Sequence, residues 1–289
     1  MVEKKRFNFY SPDDGIGGNN ISTNEEYTAP ESGLDMKKTI EWYEANKEEL
    51  VRRLPDTINT GKLVHPLENR EYIELTDEEV ASVLDLFPEV VRRRSIVNYI
   101  VGQPQTWFKQ GEGQVATTNK DEAISKTAII PSYFDPSKWT KDNPAADVWL
   151  YAISDEACSP EVKKIILSEG LAHEFAHGLI ATALYTEQKL KLPSGEKVDA
   201  FMYIMDNFAN AVEDKHTPIS HYSSFFEDKF KSDNPQEVKT AVNEELAESI
   251  AAYLLNFVYC DDPDRRMDPF RDRPEVKKLV DDFLNAELI

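Results

Sequence analysis

The stretch His173-Glu174-Phe175-Ala176-His177 limits more than any other what this chain can fold into. Residues four apart on an α-helix share one face, about one turn from each other. The two imidazoles therefore converge only if the segment is helical. Its surroundings agree: Ile165, Ile166, Leu167, Leu171, Ala172, Phe175, Ala176, Leu179 and Ile180 recur at the spacing of a buried helix. Upstream, Ser159-Pro160-Glu161 supplies an N-cap, a first-turn proline and an acidic first turn, which starts a helix running to about Thr186. The fold must then close a core around a long helix carrying His173, Glu174 and His177. Two imidazole nitrogens on one face suit a metal ion. Glu174, beside that ion, is placed to take a proton from a water whose pKa the cation has lowered. The bland alternative is a core helix with two hydrogen-bonded histidines, each needing a polar partner.

A catalytic metal of this kind takes three protein ligands and keeps one open position. Of the five histidines, His65 sits in a proline-flanked loop, while His216 and His221 bracket Thr217-Pro218. None follows His177 at short spacing. The better candidate is the helical segment Asn243-Glu244-Glu245-Leu246-Ala247-Glu248, whose Glu244 and Glu248 stand four apart. Glu244 would bind the metal, and Glu248 would accept the outward N–H of a ligand imidazole, fixing its tautomer. A second acidic candidate is the end of an amphipathic helix expected over Val198 to Lys215, where Glu213-Asp214 could face the metal instead. Cys158 and Cys260 belong to no CxxC pattern, which disfavours zinc ribbons and redox motifs.

HEFAH followed by NEELAE resembles the gluzincin metallopeptidases, whose pattern is HExxH and then a glutamate-bearing helix of the form NExxA with an acidic residue next. The resemblance covers the two motif helices. It implies a zinc-dependent peptidase, an endopeptidase by expectation, with one catalytic Zn2+ held by His173, His177 and Glu244. Glu174 would be general base and acid, and Glu248 would support a ligand histidine. One departure is that 66 residues separate His177 from Glu244, more than in compact members of the group, so an insertion is expected there.

Within that gap, Ser220-His221-Tyr222 is similar to the S-x-Y segment of lethal-factor-like gluzincins, whose tyrosine hydroxyl helps hold the tetrahedral oxyanion. Tyr222 is then a candidate stabiliser and His221 the alternative, each acting by donating a hydrogen bond to charge that develops in the transition state. Here Phe225 to Val242 lie between this segment and the glutamate helix, a longer gap than in those relatives. An ordinary loop with a packed tyrosine is the competing reading. The glutamate helix, with Ala247 and then Ile250-Ala251-Ala252-Tyr253-Leu254-Leu255, is also similar to the ExxA…A…LL helix of repressor-cleaving peptidases of mobile elements. That likeness implies a narrow regulatory protease with a single protein substrate. A zinc-stabilised interaction protein without catalysis is the third class; Glu174 speaks against it, because structural metal binding requires no base.

Composition bounds the partners. The chain has 289 residues, 40% of them hydrophobic, enough for a sizeable core, and no run approaches the length that crosses a bilayer. Met1 to Asn8 carries basic residues with no apolar stretch behind them, so no signal peptide is expected and the cytoplasm is the default, with leaderless export left open. A net charge of −20 repels phosphate backbones and disfavours nucleic acid as a partner; it serves solubility or the attraction of basic peptides. A peptide or protein substrate is the expected partner, and no motif speaks to oligomeric state.

The chain divides into a polar, Gly- and Asn-rich tail over 1–33, an upper helical and β sublobe over 34–158, and an HExxH helix with a helical C-terminal sublobe over 159–289, the last two forming one catalytic unit. The tail is either a solvated strap or an autoinhibitory segment lying in the cleft. Helices are expected over Leu34 to Leu54 and after the capping box at Thr76 to Glu79. Short strands are expected at Ile96 to Val101, Thr127 to Ile130 and Val148 to Ile153, the last as an edge that pairs with substrate. Thr240 to Phe257 and Pro274 to Leu288 complete the lower lobe as helices. The expected class is α+β, a zincin-like metallopeptidase fold with a small sheet over the HExxH helix and a helical lower lobe.

Overall fold

A computed structural model of the chain describes residues 36–58, 63–65, 70–72, 77–92, 94, 99–100, 127–128, 159–185, 187–213 and 217–289. A few side chains within these ranges, those of Glu174 and Glu213 among them, lie outside the description. The described part is mostly helical. It begins with α1 (Met36–Val51), the two-stranded antiparallel pair β1 (Leu63–His65) and β2 (Arg70–Tyr72), and the short helices α2 (Asp77–Leu84) and α3 (Glu89–Arg92). A parallel pair follows, β3 (Tyr99–Ile100) with β4 (Thr127–Ala128). The expected edge strand at Val148 to Ile153 and the tail over 1–33 lie outside the described residues.

The central element is α4 (Pro160–Tyr185), 26 residues and about 39 Å long at 1.5 Å per residue. It starts as its sequence dictates. Ser159 Oγ accepts the Val162 N–H at 3.4 Å, Pro160 occupies the first turn where no donor is needed, and Glu161 favours the positive end of the helix dipole. It ends in a Schellman-type turn, with Gln188 N–H bonded to the Ala183 carbonyl at 3.1 Å and Glu187 in the left-handed region at φ 51°. Such a helix is buried on nearly every side. Val162, Ile165, Leu171, Phe175, Leu179 and Ile180 are all closed to solvent.

Downstream, β5 (Lys189–Lys191) and β6 (Lys197–Asp199) form a hairpin in which Gly195, at φ +88°, takes the position that an L side chain resists. This hairpin leads into α5 (Ala200–Glu213). The stretch expected as helix from Val198 onward therefore begins as strand: Val198 pairs with Leu190, and the helix starts only at Ala200. A turn and a 3-10 helix (Ser223–Phe226) lead through α6 (Glu227–Phe230) to α7 (Pro235–Leu255). The chain closes with α8 (Pro274–Leu284) and β7 (Glu287–Leu288). β7 pairs antiparallel with β5, making a three-stranded sheet in the order β6-β5-β7. The lower part is thus not wholly helical: the segment expected as helix to Leu288 turns to strand after Leu284 because β5 offers it an unpaired edge.

Two apolar clusters hold these elements. The larger joins Val83, Phe87 and Val91 to the middle of α4, the inner face of α5, and Leu246, Ile250, Val280 and Phe283 of α7 and α8. Phe87 meets Phe175 edge-on at 4.2 Å between ring centroids. The smaller packs Tyr43, Leu50 and Leu54 against Val162, Ile165 and Ile166 at the start of α4, with Phe257 and Tyr259 beyond α7. No described helix is long and apolar enough to cross a membrane.

Candidate metal centre

α4 and α7 lie against each other along the core, and their facing sides carry the polar residues of the centre. His173 and His177 come from α4, Glu244 and Glu248 from α7. The imidazoles stand edge to face, with ring centroids 4.6 Å apart and Nε2 to Nε2 3.0 Å. Glu244 Oε2 lies 3.5 Å from His173 Nε2 and 3.4 Å from His177 Nε2. Three lone-pair atoms therefore form a triangle close to one face of a coordination tetrahedron, whose edges are about 3.3 Å for metal–donor bonds of about 2.0 Å.

The outward nitrogens are held from the α7 side. Glu248 Oε1 lies 2.6 Å from His173 Nδ1, out of line for a hydrogen bond as the ring stands but close enough to take the single N–H of a neutral imidazole on a small rotation, which leaves Nε2 its lone pair for the centre. The Asn243 side-chain amide lies 3.0 Å from His177 Nδ1. The atom placed there is Nδ2; with the amide flipped so that Oδ1 faces the ring, it would accept the Nδ1–H and free the second Nε2 in the same way.

The donor set fits a divalent cation. Glu244 Oε2 is buried and has no hydrogen-bond partner among the described residues; its contacts with the two imidazoles are long for hydrogen bonds. A buried carboxylate oxygen left this way is costly unless a positive charge faces it. Burial by itself pushes the Glu244 carboxyl up, and with no metal bound it is protonated His177 and His173 that outweigh burial and hold the group well below the usual carboxylate range, a role a cation takes over once the imidazoles are neutral. It thus stays ionised, as a ligand must. His173, His177 and Glu244 are the group of described residues that can hold a metal ion.

Glu174 lies on α4 between the two histidines, with its side chain outside the description. Glu213 ends α5, and its side chain and Asp214 are likewise outside. His216 lies outside the described residues, as do the loop side chains around His65, which itself ends β1. Tyr222 and His221 part company. The Tyr222 ring stands edge-on to His173 with centroids 5.6 Å apart, beside the donor triangle. The His221 ring contacts Phe225 and Tyr259, and its Nδ1 lies 3.2 Å from Asp261 Oδ1. Cys260 is a buried free thiol and takes no part.

Three groups at this site carried no assigned role in the sequence. Asn243 is one. Glu169, one turn before His173, receives a hydrogen bond from the Tyr43 hydroxyl of α1 and feels the charge of Glu248. Glu245, next to Glu244, is fully buried and pairs with Arg273 at 2.9 Å. Burial pushes the Glu245 carboxyl up against the pull of Arg273. Helical spacing could have pointed to Glu169, four positions before His173; nothing local points to Arg273 or Tyr43.

Comparison with protein-family models, curated proteins and solved structures brings no match. The functional reading therefore stands on the geometry of the centre and the chemistry of its side chains.

Proposed function

We propose that the protein is a zinc-dependent peptidase with a zincin-like fold, hydrolysing peptide bonds within peptide or protein substrates. The observation that carries the reading is the convergence of His173 Nε2, His177 Nε2 and Glu244 Oε2, with Glu174 between the histidines on the same helix. Two imidazoles and one carboxylate suit zinc better than the harder cations, which prefer oxygen alone. A zinc ion held there would supply Lewis acidity, acidifying a water and polarising a carbonyl oxygen.

The chain's own residues would do the rest. The Glu174 carboxylate takes a proton from the attacking water and returns it to the leaving nitrogen of the amide. Glu248 holds the His173 Nδ1–H, which keeps the imidazole in its metal-binding tautomer and strengthens it as a donor. The Tyr222 hydroxyl donates a hydrogen bond to the carbonyl oxygen as that oxygen gains charge. His221, engaged with Asp261 and packed on Tyr259, is the weaker candidate for that duty.

The test is a diverse peptide library incubated with zinc-loaded protein and read by mass spectrometry, with Glu174→Gln as the blank. New termini that appear with the wild-type chain and vanish in the variant are the expected result, and they also give the sequence preference. Equal peptide patterns from both proteins would sink the general-peptidase reading.

A further inference from the structure

Glu245 follows Glu244 on α7, so the 100° step between neighbouring helical residues turns its carboxylate away from the donor triangle. It points instead into the loop that carries Tyr222. Glu245 Oε1 accepts the Ile219 N–H at 2.9 Å and a guanidinium N–H of Arg273 at 2.9 Å, with the Ser223 hydroxyl a further neighbour. Arg265 donates to the carbonyls of Pro218 at 2.7 Å and Ile219 at 3.1 Å. Ser220 and Ser223 bond reciprocally: Ser220 N–H to Ser223 Oγ at 3.1 Å, Ser223 N–H to Ser220 Oγ at 2.9 Å, and Ser223 Oγ–H to the Ser220 carbonyl at 3.1 Å. The His221 N–H reaches the Tyr259 carbonyl at 2.8 Å, and the His221 carbonyl accepts from Ser224 Oγ at 2.7 Å.

From the Pro218 carbonyl to the His221 carbonyl, every backbone donor and acceptor is therefore engaged. Loops ordinarily run over the surface with water as partner, and mobility follows. Here Ile219, Ser220 and Ser223 are buried and fully satisfied, which fixes one conformation. The residue that this fixed turn delivers is Tyr222, edge-on to His173.

We infer that Glu245 is a positioning residue: the consecutive glutamates of α7 hold the metal-donor triangle with Glu244 and the Tyr222 turn with Glu245, so one helix sets the distance between them. The consequence for turnover rests on the peptidase reading; the placement of Tyr222 does not.

Truncating Glu245 to alanine would remove the acceptor of both the Ile219 N–H and Arg273 and leave a cavity, so Glu245→Gln is the variant of choice. It keeps an oxygen for the Ile219 N–H and removes the charge facing Arg273. The full chain is labelled with 3-fluorotyrosine, and the Tyr222 signal is identified among the 12 tyrosines by its loss in Tyr222→Phe. Expected results are a displaced or broadened Tyr222 fluorine signal in Glu245→Gln at unchanged zinc content, and a kcat lowered roughly tenfold with KM little changed. That is a fraction of the 10²–10³ that removing a whole oxyanion donor costs. Because the effect passes through Tyr222, Glu245→Gln should lower kcat no further in a Tyr222→Phe background. An unmoved Tyr222 signal, or a kcat loss that adds in full to that of Tyr222→Phe, overturns the inference. Should Glu245→Gln fail to fold, Ser223→Ala loosens the same turn while sparing the ion pair, and the same two readouts decide. A wild-type chain without peptidase activity would defeat the proposed function while the fluorine measurement still decides the placement.

Discussion

His173 has two nitrogens to place and one proton to place them with. Glu248, 2.6 Å from Nδ1, is the acceptor at hand for that proton, and with the proton there the second nitrogen is left with its lone pair at the centre. Replacing Glu248 with Gln keeps the shape but removes the charge that makes the imidazole a better donor. Zinc affinity should fall about 10- to 100-fold, read by competition with a chromogenic chelator. An unchanged affinity would mean that the His173 tautomer is set elsewhere. This partnership was legible in the sequence because Glu248 stands four residues after Glu244, and helical spacing alone puts both on one face. Asn243 stands in the same motif, yet the motif gives it no legible role. Its target, His177, is 66 positions away, and a single amide before a glutamate carries no spacing signal. Glu245 is a sharper case: its neighbour Glu244 draws the eye, while its partners Ile219 and Arg273 are close only in the folded chain.

At the level of elements, α1 is fastened to α4 by apolar packing and by the Tyr43 hydroxyl on Glu169. Burial pushes the Glu169 carboxyl up to about 8; the Tyr43 bond pulls it down, and the Glu248 charge pushes it further up. The sign follows directly. A carboxyl whose folded pKa exceeds its unfolded value binds more protons when folded, so its contribution to stability is complete below about 4.5 and is lost as pH rises toward about 8. Glu169→Gln, neutral throughout, should gain on the metal-free wild type as pH is raised from 5 to 8.5 in urea titrations, and differ least at the acid end. A difference independent of pH would show that Glu169 is already ionised in the folded chain. The helices themselves were legible wherever long apolar periodicity met a start signal, as at Ser159-Pro160 of α4. Of the strands, β3 and β4 fall within the expected stretches Ile96 to Val101 and Thr127 to Ile130, while β5, β6 and β7 were not legible. β5 and β6 are three residues each and β7 is two, too short for alternation to register, and the β5–β7 pairing joins segments far apart in sequence. Val198 fits a helical pattern as well as a strand, because its apolar side chain stands three residues before Phe201 of α5.

For the molecule as a whole, the centre ties together the two helices around which the larger core is built. α4 contributes Leu171, Phe175 and Leu179 to that core, and α7 contributes Val242, Leu246 and Ile250. Global unfolding must separate α4 from α7, and the donors His173, His177 and Glu244 separate with them. A metal that binds the folded chain alone then stabilises the whole fold, by about 2.7 kcal/mol when free zinc is 100 times its dissociation constant. For a chain of 289 residues that corresponds to roughly 4–5 °C in Tm. The expected observation is one cooperative transition by scanning calorimetry that moves up with zinc, returns with EDTA, and moves little in a His173→Ala, His177→Ala double variant. Glu174→Gln separates stability from chemistry: it should keep the zinc-dependent rise while losing peptide cleavage, because Glu174 has no place among the three donors. A zinc-dependent rise that disappears in Glu174→Gln would place that carboxylate on the metal and require a different base. No rise in the wild-type chain, with zinc content confirmed at zero, would mean that the triangle of donors does not bind zinc at all.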